Sequence, residues 1–111
     1  MLSPDHRLTD ADSFRTATRG RRAGSRTLVV HLGTSEADGD PARIGLVVSK
    51  AVGNAVVRNR VKRRLRHLAR EHVHVLPGSA VLVVRALPAA ATSSYDELGD
   101  DLSRCLGRVL A

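Results

Sequence analysis

Aromatic side chains are nearly missing from this chain of 111 residues: Phe14 and Tyr95 are the only two, and there is no tryptophan. Any core must therefore be filled by Val, Leu and Ala. Cysteine occurs once, at Cys105, which excludes an internal disulfide framework and a multi-cysteine metal cluster. No apolar run approaches the roughly 20 residues that a membrane span requires. The opening residues, Met1 to His6, lack the charged-then-apolar order of a secretory signal, so a cytoplasmic protein is expected. Lysine is scarce, with sixteen Arg to two Lys; that bias suits phosphate, which the guanidinium fork grips bidentately, and is equally what a GC-rich genome would produce. The most telling absence is local: between Pro41 and Arg70 there is no acidic residue.

In that acid-free stretch stand nine cations: Arg43, Lys50, Arg58, Arg60, Lys62, Arg63, Arg64, Arg66 and Arg70. Residues 1–40 hold six Arg against six acids, and residues 71–111 three Arg against five acids, so the middle accounts for the whole net charge of +7. Charge focused on one segment between near-neutral flanks is the electrostatic footprint of a polyanion site. The hydrophobic content of 42% supplies too much aliphatic surface for a disordered basic tail. The length suits a single domain, residues 1–111, that binds nucleic acid.

The pattern along the chain predicts an α-β-β-α-β-α order. Thr9 caps a short first helix over 10–19, with Asp10 and Asp12 in its first turn and Gly20 as its stop. Thr27–Leu32 and Arg43–Ser49 read as strands, and the polar, acidic stretch 35–41 between them reads as a solvated hairpin loop. Gly53-Asn54 opens a helix running to about His72, ended by Pro77-Gly78. Ala80–Ala86 is almost uniformly apolar, as a buried strand would be. Ser94-Tyr95-Asp96-Glu97 is a capping box for the last helix, whose apolar face combines Leu98, Leu102, Leu106 and Val109 with Tyr95. A hairpin followed by a helical crossover implies an α+β fold, a small sheet packed with helices.

On the helical wheel of residues 54–72, Val57, Val61, Leu65 and Leu68 fall in one stripe about 80° wide. Lys62, Arg66, Arg70, Arg63 and Arg60 spread over the opposite side, and Arg58 and Arg64 border the stripe. Like charges at these spacings cost an isolated helix a few tenths of a kcal/mol per pair. A solvated face normally mixes both signs, so a helix that keeps this repulsion points to a partner supplying negative charge.

Within this segment, Lys50-Ala51-Val52-Gly53-Asn54-Ala55-Val56-Val57-Arg58-Asn59-Arg60-Val61-Lys62-Arg63 resembles the signature of the bacterial ribonuclease P protein subunit, most distinctively at Gly53-Asn54 and Arg58-Asn59-Arg60. The resemblance covers nearly the whole chain. It implies a β-α-β crossover through the basic helix that is left-handed, against the usual right-handed rule. It implies the protein component of a ribonucleoprotein endonuclease, a hydrolase that removes the 5′ leader of precursor tRNA. In that picture the RNA is the catalyst, Mg2+ ions are held chiefly by the RNA, and the protein alone is inactive. Carried over residue by residue, Lys50, Arg58, Asn59, Arg60, Lys62, Arg63 and Arg66 are expected to contact the catalytic RNA, with the cations on phosphates and Asn59 on a phosphate, sugar or base edge. Gly53 and Asn54 shape the start of the helix or lie near metal or phosphate. For a leader cleft between sheet and helices the resemblance offers Phe14, either a stacking platform or a core residue, and His31. Thr18 stands where relatives often carry a second aromatic, and Val29-Val30-His31 replaces an aromatic expected in the strand. Electrostatics and shape are then the expected grip on the leader.

The chain offers no chemistry of its own for cleavage. Its acids are scattered, His72 and His74 lack further ligands for a metal, and neither a phosphate-binding Gly-rich loop nor a nucleophile elbow occurs. No catalytic or metal-binding residue is expected, and Cys105 is expected to be inert packing. The competing reading is a general RNA-binding or ribosome-associated basic protein using the same helix. A membrane-surface helix is a third, disfavoured because the Val/Leu seam lacks interfacial Trp or Phe.

Overall fold

The structure, a computed structural model, describes residues 11–35 and 41–111, with the backbone alone for residues 11–14. Helix α1 spans Ala11–Arg19, strands β1 Arg21–Gly24, β2 Leu28–Thr34 and β3 Arg43–Val47, helix α2 Ala55–His72, strand β4 Ala80–Ala86 and helix α3 Tyr95–Leu110. Short 3₁₀ turns occupy Val73–Val75 and Pro88–Thr92. The expected cap at Thr9 and most of the expected loop at 35–41 lie outside the described residues.

The expected hairpin between Thr27–Leu32 and Arg43–Ser49 does not form. The sheet order is β1-β2-β4-β3, so β4 separates the two strands. Strand β4 pairs antiparallel with β2 and parallel with β3. The reason is burial: Ala80–Val84 and Ala86 are all buried, and a strand apolar on both faces must take a central position. The hairpin that does form joins β1 to β2 through Ser25-Arg26-Thr27, with Arg21 opposite Leu32 and Gly24 opposite Val29. Strand β1, of sequence RRAG, adds one strand to the expected order.

Strand alternation gives the sheet two faces. Ala23, Leu28, Val30, Ile44, Leu82, Val84 and Ala86 point to one side, where they join Val61, Leu65 and Leu68 of α2 and Leu98, Leu102, Leu106 and Val109 of α3 in the main core. Val81 and Val83 point to the other side and meet Ala17 of α1, with Val47 beside them. Helix α1 can approach this side because Gly33 has no side chain: a Cβ there would lie 2.4 Å from the Thr16 carbonyl oxygen.

The two long helices follow their sequence signals closely. Asn54 caps α2, its Oδ1 accepting from the Val57 amide at 3.0 Å, as a side-chain oxygen must where the first amides lack partners. Gly53 precedes it at φ +158°, and a Cβ there would crowd the Val57 side chain at 2.9 Å. The α2 seam is Val61, Leu65, Leu68 and Ala69, with Val57 half-buried at its start. Ser94 and Glu97 form the reciprocal capping box of α3. Tyr95, expected on the apolar face, is instead 40% exposed in the first turn, and Cys105 is fully buried as a free thiol.

Candidate nucleic-acid interface

Once α2 commits its narrow seam to the core, the rest of its surface is left to cations. Asn59, Lys62, Arg63 and Arg66, all expected RNA contacts, converge with His67 around one shallow concavity on the outer face. Spacings of three and four residues bring these side chains together, and no acid of α2 precedes Glu71. An open depression lined by Lys and Arg donors beside an amide fits a phosphodiester backbone. His67 was not among the expected contacts; the signal for it was its position one turn beyond Arg63.

The remaining expected residues are placed differently. Lys50 is exposed in the turn between β3 and α2. Arg58 is half-buried, and its Nε has no hydrogen-bond partner. Arg60, which the wheel placed well away from the apolar stripe, lies against the Pro88–Thr92 turn. Its Nη2 donates to the Ala91 carbonyl at 3.0 Å, and its Nε is buried without a partner. Arg64 does the same one turn later, donating to the Ser93 carbonyl at 3.2 Å. These two arginines tie α2 to the segment that leads into α3, so the signature arginine Arg60 serves the fold through part of its guanidinium.

The leader candidates fall on the other side of the sheet. Phe14 belongs to α1, but its side chain lies outside the described residues. His31 is on β2 and points away from the α2–α3 core, toward the side that α1 partly covers. Sequence reading missed its neighbours. Arg22 of β1 is directly opposite His31 in the register. Arg85 of β4 is opposite Val29, and so diagonal to His31 on the same face. The imidazole is held below its ordinary pKa of 6.5 by burial first, then by the Arg22 and Arg85 charges. A lone charge in an otherwise apolar strand was the available signal for Arg85; Arg22 carried none, because β1 was not recognised.

A third cluster has a structural purpose. The Thr27 hydroxyl donates to Asp101, which is buried, and Arg104 bonds the other carboxylate oxygen. Arg26 reaches Glu97 at 2.7 Å and Ser93 at 3.2 Å. Together they fasten the β1–β2 turn to α3. Among the described residues no group of three or more His, Cys, Asp or Glu is placed to hold a metal ion, and no helix is long and apolar enough to cross a membrane.

Comparison with known proteins gives a consistent result. Residues 2–110 match the family model described as Ribonuclease P. The chain is 68% identical to the ribonuclease P protein component of Nocardioides sp. strain JS614, covering 98% of this chain and 95% of that one. It is 50% identical to the corresponding protein of Streptomyces avermitilis, over 99% and 96% of the two chains. Among solved structures, the RNase P protein of Staphylococcus aureus superposes with a TM-score of 0.79 at 26% identity, over 92% of this chain and 93% of that one.

Proposed function

Because this chain belongs to the ribonuclease P protein family, and so serves tRNA processing as the protein component of an RNA-containing nuclease, we propose that its RNA partner is the catalyst and that the protein positions that RNA and the substrate. The observation that carries this reading is the acid-free cationic face of α2, where Asn59, Lys62, Arg63 and Arg66 line one concavity. Residues 1–111 act as one RNA-binding unit. Lys50, Lys62, Arg63 and Arg66 neutralise phosphates of the catalytic RNA, Asn59 bonds a phosphate, sugar or base edge, and Arg58 and Arg60 flank that surface. Arg60 divides its donors between the Ala91 carbonyl and the RNA.

The substrate is precursor tRNA, whose 5′ leader lies along the α1 side of the sheet, near His31 and Phe14. Arg22 and Arg85 supply positive charge there, consistent with a grip that depends on electrostatics rather than base stacking. The reaction is phosphodiester hydrolysis. Mg2+, held chiefly by the RNA, would supply Lewis-acid chemistry. The protein's contribution is to screen phosphate repulsion between RNA and substrate, which lowers the Mg2+ needed.

Reconstitution tests this. Purified protein alone should leave precursor tRNA intact at every Mg2+ concentration, and addition of the ribonuclease P RNA should produce 5′ maturation at modest Mg2+. Site-specific cleavage by nuclease-treated protein would overturn the proposal that the RNA is the catalyst.

A further inference from the structure

The four strands contain Arg21, Arg22, His31, Arg43 and Arg85 but no Asp or Glu. On the face turned away from the main core, β1 sets Arg22 directly beside His31, and β4 sets Arg85 on its diagonal. Strand β3 adds Arg43 to the same face, further along and half-buried. Helix α1, packed over part of this face, brings Arg15 and Arg19, both exposed. Among the described strands, a partly buried imidazole thus stands beside two arginines with no carboxylate on the sheet. The His31 ring also has an orphaned atom: Nδ1 is buried and has no hydrogen-bond partner. Buried polar atoms are rarely left unpaired, and this one sits beside two cations.

We infer that His31, beside Arg22 and Arg85, takes up a proton when the phosphodiester backbone of a single-stranded leader occupies this face. The inference rests on the reading that the leader lies along this face. In the free protein partial burial, and then the Arg22 and Arg85 charges, hold the imidazole below its ordinary pKa. A phosphate oxygen arriving between them offsets both positive charges and gives the ring nitrogens an acceptor. Both nitrogens of a protonated histidine are donors, so the bound anion favours the imidazolium. Binding that takes up a proton strengthens as pH falls, by at most about tenfold per pH unit for one proton. The window runs from the raised pKa of the bound state down to the depressed pKa of the free protein, within the range of about pH 5 to 8 where histidine titrates.

Oligouridine is a suitable probe, because its bases do not titrate in that range. The His31 ring resonances, followed by NMR across about pH 5 to 8, should give a clearly higher pKa with oligouridine bound than without. In reconstituted holoenzyme, the preference for precursor over mature tRNA should grow about threefold to tenfold from pH 8 to pH 6, and His31→Gln should flatten that dependence. If oligouridine binds and the precursor preference is present while the His31 pKa stays put, the proton-linked site is overturned and the leader reading stands. If the holoenzyme shows no precursor preference at any pH, the leader reading itself fails, and this inference with it. Should His31→Gln not fold, the wild-type titration still decides.

Discussion

Arg60 and Arg63 are near neighbours on α2, yet their side chains do different work. Arg60 donates to the Ala91 carbonyl, whereas Arg63 is exposed in the concavity. Arg60→Ala should therefore cost about 0.5–1.5 kcal/mol of stability, the usual net worth of such a bond, and also weaken RNA binding. Arg63→Ala should leave stability within about 0.5 kcal/mol while weakening RNA binding by about 1–3 kcal/mol. A urea titration and a filter-binding curve for each variant separate the two; equal stability losses would show that Arg60 is not a brace. Asp101 is a second residue with a measurable signature. Burial pushes its carboxyl up, but bonds from Thr27, Arg104 and Ser25 more than offset this and hold it below the ordinary 3.8. A depressed carboxyl stabilises the fold fully above its unfolded pKa and loses that contribution as pH falls through the folded value. Stability should fall on acidification below about pH 4, and Asp101→Asn should lower it at neutral pH while flattening this acid limb, measured as the urea midpoint against pH.

Among the elements, α2 and α1 make contrasting demands. Helix α2 is held by a seam of three large aliphatic residues and Ala69, and Val61 is fully buried. Val61→Ala should cost about 1–3 kcal/mol through lost burial and a residual cavity, with RNA affinity kept in the folded fraction. Helix α1 depends on proximity instead. Gly33→Ala forces a methyl against the Thr16 carbonyl, and overpacking of this kind costs about 1–3 kcal/mol. Because α1 flanks the His31 face, this variant should also reduce the precursor preference of the holoenzyme, with affinity for the ribonuclease P RNA unchanged. Loss of both affinities together would mean that the two surfaces are not independent.

Across the molecule, the sheet separates two cationic regions: the outer face of α2 on one side, and Arg22, His31 and Arg85 on the other. The proposed function would use such a division, since two polyanions bound at once would each need a surface of their own. With Arg60 and Arg64 partly committed to backbone carbonyls, the proposed interface would draw its phosphate contacts from Lys50, Lys62, Arg63 and Arg66, with Arg58 and Arg70 at its flanks. About six contacts give a log–log dependence of RNA affinity on salt with a slope near −4 to −5. A slope shallower than about −1.5, or fewer than roughly two phosphates neutralised, would remove α2 as the principal interface.

Much of this architecture was legible locally. The Asn54 cap, the Ser94–Glu97 capping box, the seam of α2 and the limits of β4 all appear where their residue patterns placed them, because each depends on contacts within a few residues. The grouping of Asn59, Lys62, Arg63 and Arg66 was legible for the same reason: helical periodicity alone puts them on one face. Strand pairing was not. Nothing in Thr27–Leu32 or Arg43–Ser49 indicates that Ala80–Ala86 will insert between them; burial on both faces forces that central place, and a hairpin between the first two strands satisfied every local signal. Strand β1 escaped notice because RRAG is short and polar, and it is a strand only through its ladder with β2. The bracing by Arg60 was equally hidden, since its acceptor lies 31 residues away. Arg22, His31 and Arg85 meet only because β2 pairs with β1 on one side and β4 on the other. Periodicity and capping are short-range and can be read along the chain, whereas the partners of a strand or of a long cationic side chain are chosen by which surfaces the whole fold must bury.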